Sequence, residues 1–333
     1  MKKYLQSLYN IEVDHVGNFR SFEKYKYKNG TYLVVPVSHI DPGELDEISQ
    51  LGDYFYYKGD QHVATIVKNK RGEIISKADE GMFVLLKCPS NASYRNSSIG
   101  AELAKFHHNG RRIPFPVQKL IRIGQWKNLW EKRLDQMEQF WLKKLTDHPG
   151  ETFERLFIES FPYYVGLTEN AIQYLVDTEI DDQPKEIDAG TVCHHRFSSD
   201  CWNEKEFMKL PTDWVFDHPS RDLVEWIRAD FWSGKNRENR NAYNMLAEYE
   251  SVSPLSSFSY RLLYSRLLFP VHYFECIERY YRTNDEGVKS ESVLELKNIL
   301  KRSVQYEQLL KNIHATLSQR VRYQNLPKVN WIG

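Results

Sequence analysis

Most of the candidate chemistry in this chain lies between Gly190 and Arg228. From Gly190 to Cys201 it reads Gly-Thr-Val-Cys-His-His-Arg-Phe-Ser-Ser-Asp-Cys, and from Pro211 to Asp222 Pro-Thr-Asp-Trp-Val-Phe-Asp-His-Pro-Ser-Arg-Asp. A loop that transfers a phosphoryl group needs His-x-Asp, an Asn five residues after that Asp, and a second Asp further on. The first Asp takes the hydroxyl proton, while the Asn and the second Asp hold magnesium. Here His194 stands at the His position, Arg196 at the base and Cys201 at the Asn, and Asp213 keeps its acidic chemistry. Taking His195 as the motif His puts Phe197 at the base position, which is no better.

Loss of a general base typically costs about 10²–10⁴-fold. Arg196 also supplies a cation where a proton acceptor is required. Cys201 offers soft sulfur where magnesium prefers hard oxygen. Asp200, one residue before the Asn position, is the replacement metal ligand to consider beside Asp213, with Asp217 assisting. A closed alternative is an Arg196–Asp213 ion pair filling the metal position. Cys193, His194, His195 and Cys201 are also zinc-type ligands, but their spacing fits no closed zinc site. Cys193 with His195 would make a thiol–imidazole nucleophile without supporting motif context. Buried structural cysteines and loop histidines are the better reading of all four.

Elements that position this loop are legible on either side. Tyr25–Lys28 alternates, Asn29-Gly30 supplies a tight turn, and Thr31–Val35 is a second strand. Asp41-Pro42-Gly43-Glu44 opens a helix, with Asp41 as cap and Glu44 reaching back, which runs to about Tyr57 and stops near Gly59. Strands are expected at His62–Lys68, Glu73–Ser76 and Met82–Lys87. Gly100–His107 opens a helix closed by Asn109-Gly110. Trp126, Trp130, Leu134, Met137 and Trp141 form a core stripe at helical spacing. A helix spans about Thr168–Glu179, a short strand pair flanks the Cys193–Cys201 loop, and helices fill Ser220–Ser318.

The 333 residues are long for one core, so two parts are expected: a β-rich lobe at 1–87 and a helical lobe at 88–333. Forty-five basic and 45 acidic residues balance to zero, so no global field draws nucleic acid or an anionic membrane. The Lys235–Arg240 run reads as a solvated face. No apolar run approaches a membrane span, and the start is too short and polar for a secretion signal. Four dispersed cysteines point to reduced, intracellular usage, which leaves the sequons at Asn91 and Asn96 as loop polarity. Aromatic residues, 14% of the chain, fit large cores, with a partner-binding face as the lesser reading.

Gly-x-x-Leu-Ala-x-x-His at Gly100–His107, the His194 loop, Asp213-Trp214 and Asp222-Leu223 occur in order, and together they resemble the aminoglycoside/choline phosphotransferase superfamily. Gly124–Arg133 and Thr212–Asp222 are similar to its spore-coat branch, the CotS and YutH-like proteins, and closer to the YutH-like group. The resemblance covers nearly the whole chain. It implies an α+β, protein-kinase-like bilobal fold of the aminoglycoside phosphotransferase type. It makes His194 the loop brace, Asp213 the magnesium ligand and Asp222 a structural anchor of the loop backbone. By the same resemblance, the strand that should carry an ATP-pairing Lys reads Leu33-Val34-Val35-Pro36-Val37, which leaves Glu47 without its partner. The nucleotide loop Val16-Gly17-Asn18-Phe19 has one glycine, and hinge contacts would come from Leu86-Lys87-Cys88. The expectation is a catalytically degenerate kinase-like protein, made in the mother-cell cytoplasm and recruited to the spore coat by coat proteins, with no cofactor required. Its alternative is an atypical phosphotransferase using ATP and Mg2+ through Asp213 and Asp200.

Overall fold

The computed structural model describes residues 1–89, 97–146, 150–202, 207–234, 240–320 and 326–329. They group into two compact units, the first drawn from 1–122, 190–236 and 240–254, the second from 123–189 and 255–333. The sequons at Asn91 and Asn96 lie outside the described residues, as does most of the Lys235–Arg240 run.

The first unit opens with α1 (Lys2–Tyr9), then β1 (Asp14–Phe19), β2 (Phe22–Tyr27), β3 (Gly30–Pro36), α2 (Pro42–Tyr57), β4 (Thr65–Val67), β5 (Ser76–Ala78) and β6 (Gly81–Lys87). The strands make one antiparallel sheet in the order β1-β2-β3-β6-β4. β5 shares the β4 edge: β4 pairs with 85–87 of β6 and β5 with 81–83, end to end. The strand expected at His62–Lys68 is therefore shorter, at Thr65–Val67, the one expected at Glu73–Ser76 lies at Ser76–Ala78, and each pairs with β6. The intervening turn is held by Asn69, whose Oδ1 accepts N–H bonds from Arg71 and Glu73.

α1 and β1 were not expected, for a physical reason. β1 is Asp-His-Val-Gly-Asn-Phe, mostly exposed, with a bulge between His15 and Gly17, so it lacks strand alternation. α1 buries Leu5 in a cluster with Val13, Tyr25, Val34, Phe83 and Leu85, a tertiary contact invisible in eight polar-looking residues. α2 begins as read, with Asp41 accepting the Gly43 N–H at 2.8 Å. Glu44 does not reach back; it pairs with Arg122 Nη2 at 2.7 Å.

The rest of the first unit is α3 (Ile99–Gly110), the β7 (Thr191–His194) and β8 (Trp214–Asp217) ribbon, α6 (Ser220–Ser233) and α7 (Arg240–Glu250), whose ranges bracket α4 (Trp126–Thr146) and α5 (Thr152–Asp181) in the chain. The second unit packs α4 and α5 with α8 (Ser257–Leu268), α9 (Val271–Arg282), α10 (Glu286–Lys301) and α11 (Ser303–Arg320). Four residues of the α4 stripe, Trp126, Trp130, Leu134 and Met137, are core as expected, with Trp130 stacked on Trp126 and Phe269, while Trp141 is half-buried. α5 is 30 residues long, far beyond the expected 168–179, because Pro162 and a run of aromatics hide its first half. A strong polar anchor ties this unit: buried Asp188 accepts hydroxyl bonds from Ser256 and Ser259.

Candidate functional site

Every residue of the candidate loop falls in the first unit. β7 ends at His194 and pairs Thr191–His194 with Trp214–Asp217 of β8, so the two halves of the motif are joined by a backbone ladder. His195 N–H donates to Asp213 O at 2.8 Å, which continues the ribbon one residue further.

Asp222 anchors the assembly from α6. Its Oδ1 accepts the His194 backbone N–H at 2.8 Å, and its Oδ2 accepts from His194 Nδ1 at 2.7 Å and His107 Nε2 at 3.1 Å. All three side chains are buried. Burial pushes the Asp222 carboxyl pKa up, but the field of His194 and the two imidazole bonds outweigh it, and the carboxyl lies well below its ordinary range. Burial depresses the His107 pKa to about 4, against the opposing pull of Asp222, so its ring is neutral. With its single proton on Nε2 toward Asp222, its Nδ1 accepts from the Tyr249 hydroxyl at 2.9 Å. Asp222 thus meets both the backbone and the ring of His194.

His107, Cys193 and Asp222 place three metal-capable atoms within 4.8 Å of one another. Their chemistry argues against an ion. Both Asp222 oxygens already accept hydrogen bonds, and Cys193 Sγ faces the carbonyl oxygens of Asp217 and His218 at 3.6 and 3.5 Å. Those carbonyls favour a thiol donor and repel a thiolate, and burial raises the Cys193 pKa well above its usual value. The same inertness removes Cys193 as a nucleophile. Its expected partner His195 is also a weak proton acceptor, held below its ordinary pKa by desolvation and then by Arg221, Arg122 and Arg196.

The expected Arg196–Asp213 ion pair does not form. Arg196 Nη1 lies 3.5 Å from Glu225 and donates to His195 O at 3.0 Å. Asp213 Oδ2 instead receives Arg20 Nη1 at 2.6 Å, while Arg20 Nη2 donates to Cys201 O at 2.8 Å. Arg20 lies at the tip of the β1–β2 hairpin, 193 residues away, and no sequence pattern linked the two. Asp200 is exposed, its N–H donating to Ser198 Oγ at 3.3 Å. Asp217 is fully buried, accepting from Arg221 Nη1 at 2.7 Å and from the His218 N–H at 2.8 Å. Neither the soft Cys201 sulfur, which donates to Arg196 O, nor the Arg-paired Asp213 fits a magnesium ion in this arrangement.

Glu47 is not without purpose. Its carboxylate accepts the backbone N–H groups of Gln118, Lys119 and Leu120 at 2.8–3.0 Å, holding the segment that bridges to β8 at Ile121–Phe216. Lys209 was missed as well, though one charge in Phe207-Met208-Lys209-Leu210 is a visible signal. It is 1% exposed, bonded to Asp60 at 2.6 Å and Glu102 at 2.8 Å, with the rings of Phe106, Trp202 and Phe207 at 5.1–5.5 Å. Phe55, Phe106, His194, Phe197, Trp202 and Trp214 pack ring to ring behind it.

The family model described as "Spore coat putative kinase YutH" matches residues 2–313. The chain is 42% identical over 334 residues to the "Endospore coat-associated protein YutH" of Bacillus subtilis (strain 168), spanning 100% of this chain and 98% of that protein. It is 27% identical over 188 residues to "Spore coat protein S" of the same organism, spanning 53% and 52% of the two chains. An aminoglycoside phosphotransferase from Alicyclobacillus acidocaldarius superposes with a TM-score of 0.68 at 13% identity, over 96% of this chain and 97% of that one. A spectinomycin phosphotransferase solved with ADP and spectinomycin gives 0.59 at 14% identity, over 90% and 93%. At these identities the solved structures establish a kinase-like fold of the aminoglycoside phosphotransferase type, with a small antiparallel-sheet lobe and a helical remainder.

Proposed function

The chain belongs to the spore coat YutH family of kinase-like proteins, and from that premise we propose that it is a catalytically silent, coat-associated interaction protein. The observation that carries the silence is Arg196. It stands two residues after His194, at the proton acceptor's place, and its guanidinium is turned to Glu225 at 3.5 Å. A guanidinium stays protonated throughout the working pH range and accepts no proton. No Lys on β3 faces the α- and β-phosphates, and Cys201 replaces the hard amide ligand. In this reading the fold is kept for its surface. The protein is made in the mother-cell cytoplasm and held in the coat by coat proteins, with neither ATP nor Mg2+ required.

Thermal unfolding of the full chain with and without ATP plus magnesium tests the first half. A ligand at about 100 times its dissociation constant adds roughly 2.7 kcal/mol of stability. The expected result is no magnesium-dependent shift and no release of γ-phosphate above background. Turnover that disappears in Asp213→Asn would overturn the silence. For the second half, a tagged copy expressed in an endospore-forming host should fractionate with the coat of mature spores; recovery only in the soluble mother-cell fraction would remove the coat assignment.

A further inference from the structure

Two oxygen atoms in the first unit, Asp213 Oδ2 and Cys201 O, converge on a single cation, and that cation is a side chain. The backbone of both residues is hydrogen-bonded. Asp213 N–H donates to Leu210 O at 3.0 Å and Asp213 O accepts from His195 N–H at 2.8 Å, while Cys201 N–H donates to Ser198 O at 3.0 Å. A carboxylate and a carbonyl are hard donors, the type that suits a divalent ion such as Mn2+ or Mg2+. Arg20 fills the position with two nitrogens at 2.6 and 2.8 Å, and the Arg20 and Asp213 side chains are 22% and 21% exposed.

We propose that Arg20 is a tethered replacement for a divalent cation, and that its guanidinium clasps the β1–β2 hairpin down onto a two-oxygen seat. The proposal rests on the silent reading only in taking Asp213 as a cation-holding carboxylate; it concerns occupancy of the seat and not turnover. The β1 arm of the hairpin is otherwise lightly held: it is largely exposed, bulged at His15–Gly17 and, among the described residues, paired with β2 alone. Phe19, 5% exposed, anchors the tip and lies under the Arg20 guanidinium at 5.5 Å. Arg20 itself has φ +53°, a left-handed conformation that glycine adopts most cheaply. A long cationic side chain there costs conformational energy, and its two bonds into the seat give that cost a return.

The test uses the full-length wild type, Arg20→Gly, and Arg20→Gly combined with Asp213→Asn, with free Mn2+ read by electron paramagnetic resonance. Glycine suits the left-handed backbone, so the substitution removes the guanidinium and keeps the turn. Arg20→Gly is expected to bind about one Mn2+ at least tenfold more tightly than wild type, and the added Asp213→Asn to abolish the gain. Equal Mn2+ affinity in wild type and Arg20→Gly overturns the proposal, as does a gain that survives Asp213→Asn. Hydrogen exchange across Asp14–Tyr27 gives an independent reading: faster exchange in Arg20→Gly is expected, and unchanged exchange removes the clasp. If Arg20→Gly fails to fold, Arg20→Gln carries the same measurements. ATP turnover plays no part in them, so catalysis by any of these proteins would count against the silence alone.

Discussion

At the scale of single residues, Asp222 and the two imidazoles on it hold the loop together. A buried carboxylate with three donors is costly to disturb, because removing its charge leaves His194 and His107 with unmatched N–H groups. Breaking a buried pair by removing one partner costs about 3–5 kcal/mol, so Asp222→Asn is expected to lower the unfolding free energy of the full chain, read from urea titration, by a loss of that order. His107 makes a pH prediction. Its folded pKa is about 4, below the ordinary 6.5, so folding favours the neutral ring. The stability that this contributes is complete above the unfolded pKa and is lost as pH falls through the window from 6.5 toward 4. Wild type should therefore lose up to about 1.4 kcal/mol per pH unit more than His107→Gln across that window. Urea titrations at pH 7.5, 6 and 5 would show it, and parallel losses in the two proteins would refute it.

At the scale of elements, α3 is held at both ends by close approach. A Cβ on Gly100 would meet Met245 O at 2.6 Å and Tyr249 N at 2.8 Å, both on α7. A Cβ on Gly110 would meet Thr191 Oγ1 at 2.4 Å and Val192 N at 2.7 Å, both on β7. Backbone neighbours cannot rotate away, and overpacking of this kind costs about 1–3 kcal/mol. Gly100→Ala and Gly110→Ala are each expected to lower the melting temperature, whereas Gly59→Ala, with nothing within 4 Å, acts only through its φ of +89°. Lys209 belongs to the same scale, since Lys209 N–H donates to His62 O and Lys209 O accepts from Ala64 N–H. Lys209→Met should destabilise by about 3 kcal/mol, because Asp60 and Glu102 are left facing each other without a cation. Adding Glu102→Gln should recover part of the loss.

For the molecule as a whole, catalysis is a property of a constellation, and single repairs do not rebuild one. Arg196→Asp with Cys201→Asn restores the base and the amide in sequence. It leaves β3 without a Lys and Asp213 in the grip of Arg20. Groups that act as a unit lose their effect together, so the double variant is expected to stay at background in γ-phosphate release. Turnover in that variant would show that the rest of the machine is intact and that the departures at Arg196 and Cys201 alone silence it.

The sequence by itself determined the parts that depend on local pattern and on order along the chain. Alternation set the β2–β3 hairpin, although its turn is Lys28-Asn29, one position before the expected Asn29-Gly30, because Gly30 already pairs with Tyr27; Asp41-Pro42 set the start of α2, and tryptophan spacing set the α4 stripe. Gly100–His107, the His194 loop, Asp213-Trp214 and Asp222-Leu223 in order, with Gly124–Arg133 and Thr212–Asp222, carried the resemblance to the family that matches. Only the tertiary structure decided which charge meets which. Arg196 turned to Glu225 and not to Asp213, Glu47 was taken by three backbone amides, and Asp213 by an arginine 193 residues away. The physical reason is range. Helix and strand periodicities act over a few residues, whereas a guanidinium chooses among all the carboxylates that folding brings within about 4 Å, and no spacing in the chain encodes that choice.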